Sequence, residues 1–210
     1  MVARGALGLA IAATGCGRLN FETKLPDADD ADGATEFVLD VQVGSSTDDA
    51  EEVQTTLGVT VDGTELQVGQ LNSIGLRFAP VSLPVGASIA RAFVRVVANR
   101  NAAGAMMLVA VAEAAESAAP FVAQDSNISS RPSTVSSVGP WDWAPWSTGA
   151  TFETPDLAVT IRDVISQPGW ASGNAIVLKI SAASGNAAIV AFDGAPAMAA
   201  VLHIEAATTR

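Results

Sequence analysis

The chain has 210 residues, 49% of them hydrophobic and 16% charged, and carries a formal net charge of −11. That length suits one domain with a full core, and so acidic a chain does not seek phosphate, which argues against nucleic acid as a partner. A single cysteine and a single histidine leave no disulfide framework and no recognisable zinc spacing.

The first elements read as an export signal. Met1 to Arg4 form a short basic start, Gly5 to Ala13 an apolar run, and Ala13-Thr14-Gly15 place small residues directly before Cys16. This resembles a bacterial lipoprotein signal covering residues 1–15, which implies lipidation of Cys16 as the new N-terminus. It further implies anchoring to a bacterial membrane, at the outer membrane or cell surface. Ala13 stands where leucine is usual; the alternative is an ordinary secretory signal in which Cys16 is incidental. The apolar run is too short to span a bilayer, so the lipid would be the sole anchor. With the signal removed, no cysteine pair is available, and rigidity must come from the core or from a metal.

Residues 16–35 read as an acidic tether. Pro26-Asp27-Ala28-Asp29-Asp30-Ala31-Asp32-Gly33 is like-charged and poor in apolar side chains, so it is expected to stay extended and solvated. In a calcium-loop register set by Gly33, Ala28 and Leu39 fall on the first and twelfth ligand positions, which removes two ligands.

From Glu36 onward a β module is expected over residues 36–210. Phe37, Leu39, Val41 and Val43 alternate with Val38, Asp40 and Gln42, a period of two that buries one face. Further strands are predicted at Thr64 to Val68 and Ser73 to Ala79. Ser88 to Ala98 is the clearest strand of the first half, with Ala90, Ala92, Val94, Val96 and Ala98 on one face and Arg91 and Arg95 on the other. Asn99 to Gly104 reads as a hairpin loop. Alternating Met107, Val109 and Val111 outweigh the helix propensity of the alanines, so Met106 to Glu113 is assigned to a strand, followed by a turn or helical piece before Pro120.

In the second half, Thr154-Pro155-Asp156 offers a cap, a proline for the first helical turn and an acid near the helix start. Leu157, Ile161, Val164 and Ile165 then share one face, and Pro168-Gly169 ends the helix. Strands close the chain at Ala175 to Ala182, Ala187 to Asp193 and Ala199 to Ala206. The expected fold is all-β, an antiparallel jelly-roll-type β-sandwich with one short helix.

Several segments together carry a resemblance: Ser45 to Glu52, Ile74-Gly75-Leu76-Arg77-Phe78, Leu83-Pro84-Val85-Gly86-Ala87-Ser88-Ile89, Asn127 to Pro132, Gly169-Trp170-Ala171-Ser172-Gly173-Asn174 and Phe192-Asp193-Gly194. They resemble the DNRLRE-type and carbohydrate-binding-module-like jelly rolls of bacterial extracellular proteins, from about Glu36 to Ala206. The resemblance implies a surface or polysaccharide-handling context and a structural calcium near the first and last strands.

Two groups carry candidate chemistry. Asp48, Asp49, Glu51 and Glu52 are hard oxygen ligands of the kind Ca²⁺ takes, with Asp193 as a partner if the ends of the sandwich meet. In an extended segment Asp49 and Glu51 face one way and Asp48 and Glu52 the other, and the alternative is a solvated acidic edge. Trp141, Trp143 and Trp146 offer a stacking platform for sugar rings, or else pin a proline-stiffened loop to the core. Trp170 reads as a core residue. Arg77, Arg91, Arg95 and Arg131 are candidate contacts for acidic sugars, with salt bridges as their alternative fate.

Catalysis finds little footing, since His203 stands on the last strand without a nucleophile motif. The expected function is a non-catalytic, surface-anchored lipoprotein that binds polysaccharide or matrix. The alternatives are a structural or adhesive surface protein without a small ligand and, third, a polysaccharide-processing enzyme.

Overall fold

A computed structural model describes residues 34–143 and 145–208. The expected signal, Cys16 and nearly all of the acidic tether lie outside the described residues. Twelve strands and one α-helix account for the regular structure described, together with one short 3₁₀ turn at Pro196–Met198.

The strands form two antiparallel sheets. The smaller contains β1 (Thr35–Gln42), β12 (Val201–Thr208), β6 (Ser88–Val97) and β9 (Thr151–Glu153), in that order. The larger runs β11 (Asn186–Val190), β4 (Glu65–Gly69), β5 (Asn72–Phe78), β10 (Ile176–Ser184), β7 (Met106–Glu113), β8 (Ser133–Trp143), with β2 (Asp49–Val53) paired to β5 and to the short β3 (Val59–Thr60). Period-two patterning accounts for the core between them. Val41, Val94, Val96, Leu202 and Ile204 of the smaller sheet belong to one apolar cluster with Ile74, Leu76, Phe78, Leu108, Ile176, Leu178 and Ile180 of the larger. The fold is thus the antiparallel β-sandwich that the alternation calls for, with one short helix.

Several local expectations meet long-range structure and change. Asn99 to Gly104 is not a hairpin loop, because β6 and β7 belong to different sheets and the chain crosses between them. On β6, Ala90 is exposed and Ile89 buried. The register against β12 steps from Arg91 to Ile89 across one residue pair, so Ala90 is the extra residue of a bulge that turns Ile89 inward.

The helix α1 spans Ala158–Ile165 with Leu157 as its N-cap residue, later than the threonine cap implies. Thr154 Oγ1 instead accepts a hydrogen bond from the Val94 N–H of β6 at 3.0 Å. Asp156 accepts from both Ala92 N–H and Ala158 N–H at 2.9 Å, tying the strand to the first helical turn. The expected apolar face holds: Leu157, Ile161, Val164 and Ile165 are buried. A carboxylate of the same helix, Asp163, accepts from the Ser136 N–H of β8 at 2.8 Å, which protects part of that edge strand.

The stretch between β7 and β8 forms no regular element but lies over the outer face of the larger sheet. Phe121, Ile128 and Ala118 build a second apolar cluster there with Ala50 of β2 and Val177 of β10. Arg131 fastens this segment to itself and to the sheet. Its guanidinium donates to the carbonyls of Asn127, Ala119 and Pro120 and to the Glu113 carboxylate, the last at 2.9 Å.

Candidate functional site

The acidic strand divides as alternation requires, but the solvated edge expected of it does not exist. Asp48, Asp49 and Glu52 are buried; β2 pairs with β5 along its length and with β3 at Glu51 and Glu52, while Asp48 and Asp49 are covered by Arg77 and Phe192. Glu52 points under the β7–β8 segment, where it accepts the Ile128 and Ser129 N–H groups at 2.8 and 2.9 Å. On the opposite face, Glu51 accepts from Gln67 N–H at 2.6 Å and from the Asn72 amide, and burial pushes its pKa up.

Asp49 accepts from Phe192 N–H at 2.8 Å. Burial pushes its pKa up to about 7 against the pull of that N–H, and the Asp193 and Asp48 charges add to the rise. Asp48 is ion-paired with Arg77 and accepts from Ser45 Oγ at 2.8 Å. The exposed Asp193 accepts from Ser46 Oγ at 2.8 Å.

The ends of the sandwich do meet, bringing Asp193 toward Asp49. Yet Glu51 and Glu52 are held by backbone N–H groups on opposite faces and Asp48 by a guanidinium. Among the described residues no group of three or more Asp, Glu, His or Cys side chains is placed to hold a metal ion. The five carboxylates therefore do not fit one calcium shell, which needs six to eight converging oxygens. Asp49, Glu51 and Glu52 act as acceptors for backbone N–H groups, Asp48 for Arg77 and the Ser45 hydroxyl, and Asp193 for the Ser46 hydroxyl.

The tryptophans do not form an open platform. Trp143 and Trp146 are 6% and 5% exposed, and Trp141 is half-buried against the main core. Pairing of Trp143 with Met106 and of Trp141 with Leu108, both buried inward residues, turns the two indoles toward the sandwich interior. Trp141, Trp143, Trp146 and Phe152 pack with ring centroids 4.6 to 6.1 Å apart. Trp143 Nε1 donates to Glu153 O at 3.3 Å, whereas the buried Nε1 atoms of Trp141 and Trp146 have no acceptor among the described residues. Trp170 is buried and donates to Leu83 O, as a core tryptophan should.

The site with most chemical potential is one the motifs did not indicate. β10 is the strand between β5 and β7, so its outward side chains rise from the middle of the larger sheet. Val177 is covered by the β7–β8 segment, but Lys179, two residues on, lies where that cover ends. It helps line a pocket of about 150 Å³ together with Ser73, Val111, Ile128, Ser129, Ser133 and Ser181. Ser129 and Ser133 are exposed at its rim.

Lys179 is 9% exposed. Its ammonium donates to Arg131 O at 2.5 Å and to Ser133 Oγ at 2.8 Å. Burial lowers its pKa, opposed by the Glu113 charge and reinforced by Arg131. The pocket thus combines four hydroxyls, one ammonium and a small apolar wall, a donor-rich set for a polar ligand. One sequence signal marks it: a lysine, one of two in the chain, interrupts an apolar run that otherwise reads as a fully buried strand.

The remaining candidates are engaged in contacts within the protein. Arg77, Arg91, Arg95 and Arg131 all pair with carboxylates. His203 stacks on Phe93 at 4.6 Å and hydrogen-bonds Asp40 at 2.8 Å, with Arg91 over the same Phe93 ring at 4.5 Å. No helix among the described residues is long and apolar enough to cross a membrane. Comparison with protein-family models gave no match, and no curated protein proved similar in sequence.

Proposed function

We propose that this chain is an exported, lipid-anchored β-sandwich of bacterial surface type that binds a glycan without transforming it. The supporting observation is the hydroxyl-lined pocket at Lys179 on the open part of the larger sheet. Donors held on strands of a rigid sheet suit recognition of sugar hydroxyls, because little ordering entropy is lost on binding. The volume of about 150 Å³ is below the ~300–1,000 Å³ typical of drug-sized sites, and fits one terminal unit or side group of a larger polymer. The resemblance to carbohydrate-binding jelly rolls points the same way, but the binding face moves from the indoles to β10.

The anchor rests on the Ala13-Thr14-Gly15-Cys16 pattern. Fractionation tests it: the wild type partitions with membranes and Cys16→Ser is released, whereas a membrane-bound Cys16→Ser protein sinks the lipoprotein reading. A glycan array probed with the folded domain tests the binding. Signal that is abolished by bulk at the pocket rim, in Ser133→Trp, supports the site.

The second reading, a structural or adhesive surface protein, draws support from the burial of Trp143 and Trp146. An array without signal favours it.

A further inference from the structure

We infer that the Lys179 pocket is an anion site, selecting a carboxylate-bearing sugar unit over a neutral one. This rests on the glycan reading above and narrows it. Among the described residues Lys179 has no carboxylate within salt-bridge distance, and both oxygens it touches are uncharged, a backbone carbonyl and a serine hydroxyl. Arg162, the other described cation without such a partner, is exposed and needs none. A buried ammonium lacking a counter-charge is costly to keep.

The carboxylates nearby are already engaged. Glu113 on β7 is held by Arg131 of the covering segment at 2.9 Å, so that pair is neutral as a unit. Glu52 on β2 is turned to the Ile128 and Ser129 N–H groups. Lys179 is therefore the cation of this group with no carboxylate in direct contact, since Glu113 and Glu52 act on it only from beyond salt-bridge distance, and it borders a pocket. A ligand carboxylate entering there gains a charge-assisted bond from Nζ and finds the hydroxyls of Ser73, Ser129, Ser133 and Ser181 around it. The charge of the same ligand offsets the desolvation that depresses Lys179 in the free protein, so binding takes up a proton wherever free Lys179 is partly neutral.

Titration with oligogalacturonate and with neutral galacto-oligosaccharide, using the wild type and Lys179→Met, tests the inference. Methionine keeps the length of the side chain and removes its charge and its bonds to Arg131 O and Ser133 Oγ, and a urea melt of the variant establishes that it is folded before titration. The expected result is acidic-oligomer binding that weakens about tenfold or more in Lys179→Met, as loss of one charge-assisted contact implies. In the wild type it should weaken as pH rises toward the alkaline range. Acidic and neutral oligomers bound equally well by the wild type, with no change in Lys179→Met, overturn the anion preference and leave the glycan reading standing. Binding of free galacturonate that needs Lys179, without binding of any oligomer, supports the anion pocket and counts against the glycan reading. No response of the wild type to either galacturonate form overturns the inference.

Discussion

The Phe121 ring occupies the space that a side chain at Gly75 would need. A Cβ at that position would lie 2.4 Å from the ring Cζ, and the Arg131 guanidinium lies over the ring, 4.4 Å from its centroid. Glycine at the centre of β5 is therefore what lets the β7–β8 segment lie flat on the sheet, and that segment forms one wall of the Lys179 pocket.

Gly75→Ala is expected to lift Phe121 and destabilise the fold by about 1–3 kcal/mol, the usual cost of overpacking a filled site. Urea unfolding reads the loss. Hydrogen exchange should quicken at Ile128 and Ser129, whose amides Glu52 holds only while the segment stays docked. A variant as stable as the wild type would show that the segment is not held by this contact.

Asp49 makes stability depend on pH in a direction opposite to the usual acid. Its folded pKa of about 7 lies above the ordinary aspartate value of 3.8, so the folded state binds the extra proton between those values. Its contribution is full below about pH 4 and is lost as pH rises through 7. Asp49→Asn keeps the acceptor for Phe192 N–H and removes the titration. Its stability relative to wild type should climb across that window and level off above it, as denaturant melts at several pH values will measure. A constant difference between the two proteins rejects a titrating Asp49.

Calcium should leave the melting temperature unchanged. Anything that binds the native state alone raises it by mass action, but the carboxylates at Asp48 to Glu52 are already occupied by Arg77 and by backbone N–H groups. Scans in millimolar calcium and in chelator are expected to coincide, and separated midpoints contradict this assignment.

Trp143→Ala should cost about 3–5 kcal/mol, as loss of a buried large aromatic does. Tryptophan fluorescence of the wild type should be blue-shifted and poorly quenched by iodide, since Trp143, Trp146 and Trp170 are buried. A folded Trp143→Ala protein of near-native stability, with wild-type indoles open to quencher, would return the aromatic platform to consideration.

Much of the secondary structure was legible because its signals are local. Alternation placed Met106–Glu113 on a strand against the helix propensity of its alanines, and located the neighbourhoods of β1, β4, β5, β10 and β12. The same period of two put Asp49 and Glu51 on the face opposite Glu52, which is how they stand.

What each face meets was not legible. Asp48 to Glu52 reads equally as a margin or as an inner strand until β5 pairs along Asp49–Val53 and β3 closes on Glu51 and Glu52. The indoles look like a platform until β8 registers against β7 and turns Trp143 inward. By itself, then, the sequence determined that the described residues form an antiparallel β protein with one short helix, because side-chain period and cap chemistry act over a few residues. Only the tertiary structure decided that Asp48, Asp49 and Glu52 are buried acceptors, that Trp143 and Trp146 are core, and that Lys179 borders a pocket with no carboxylate in direct contact. Burial and charge pairing are properties of residues far apart in the chain.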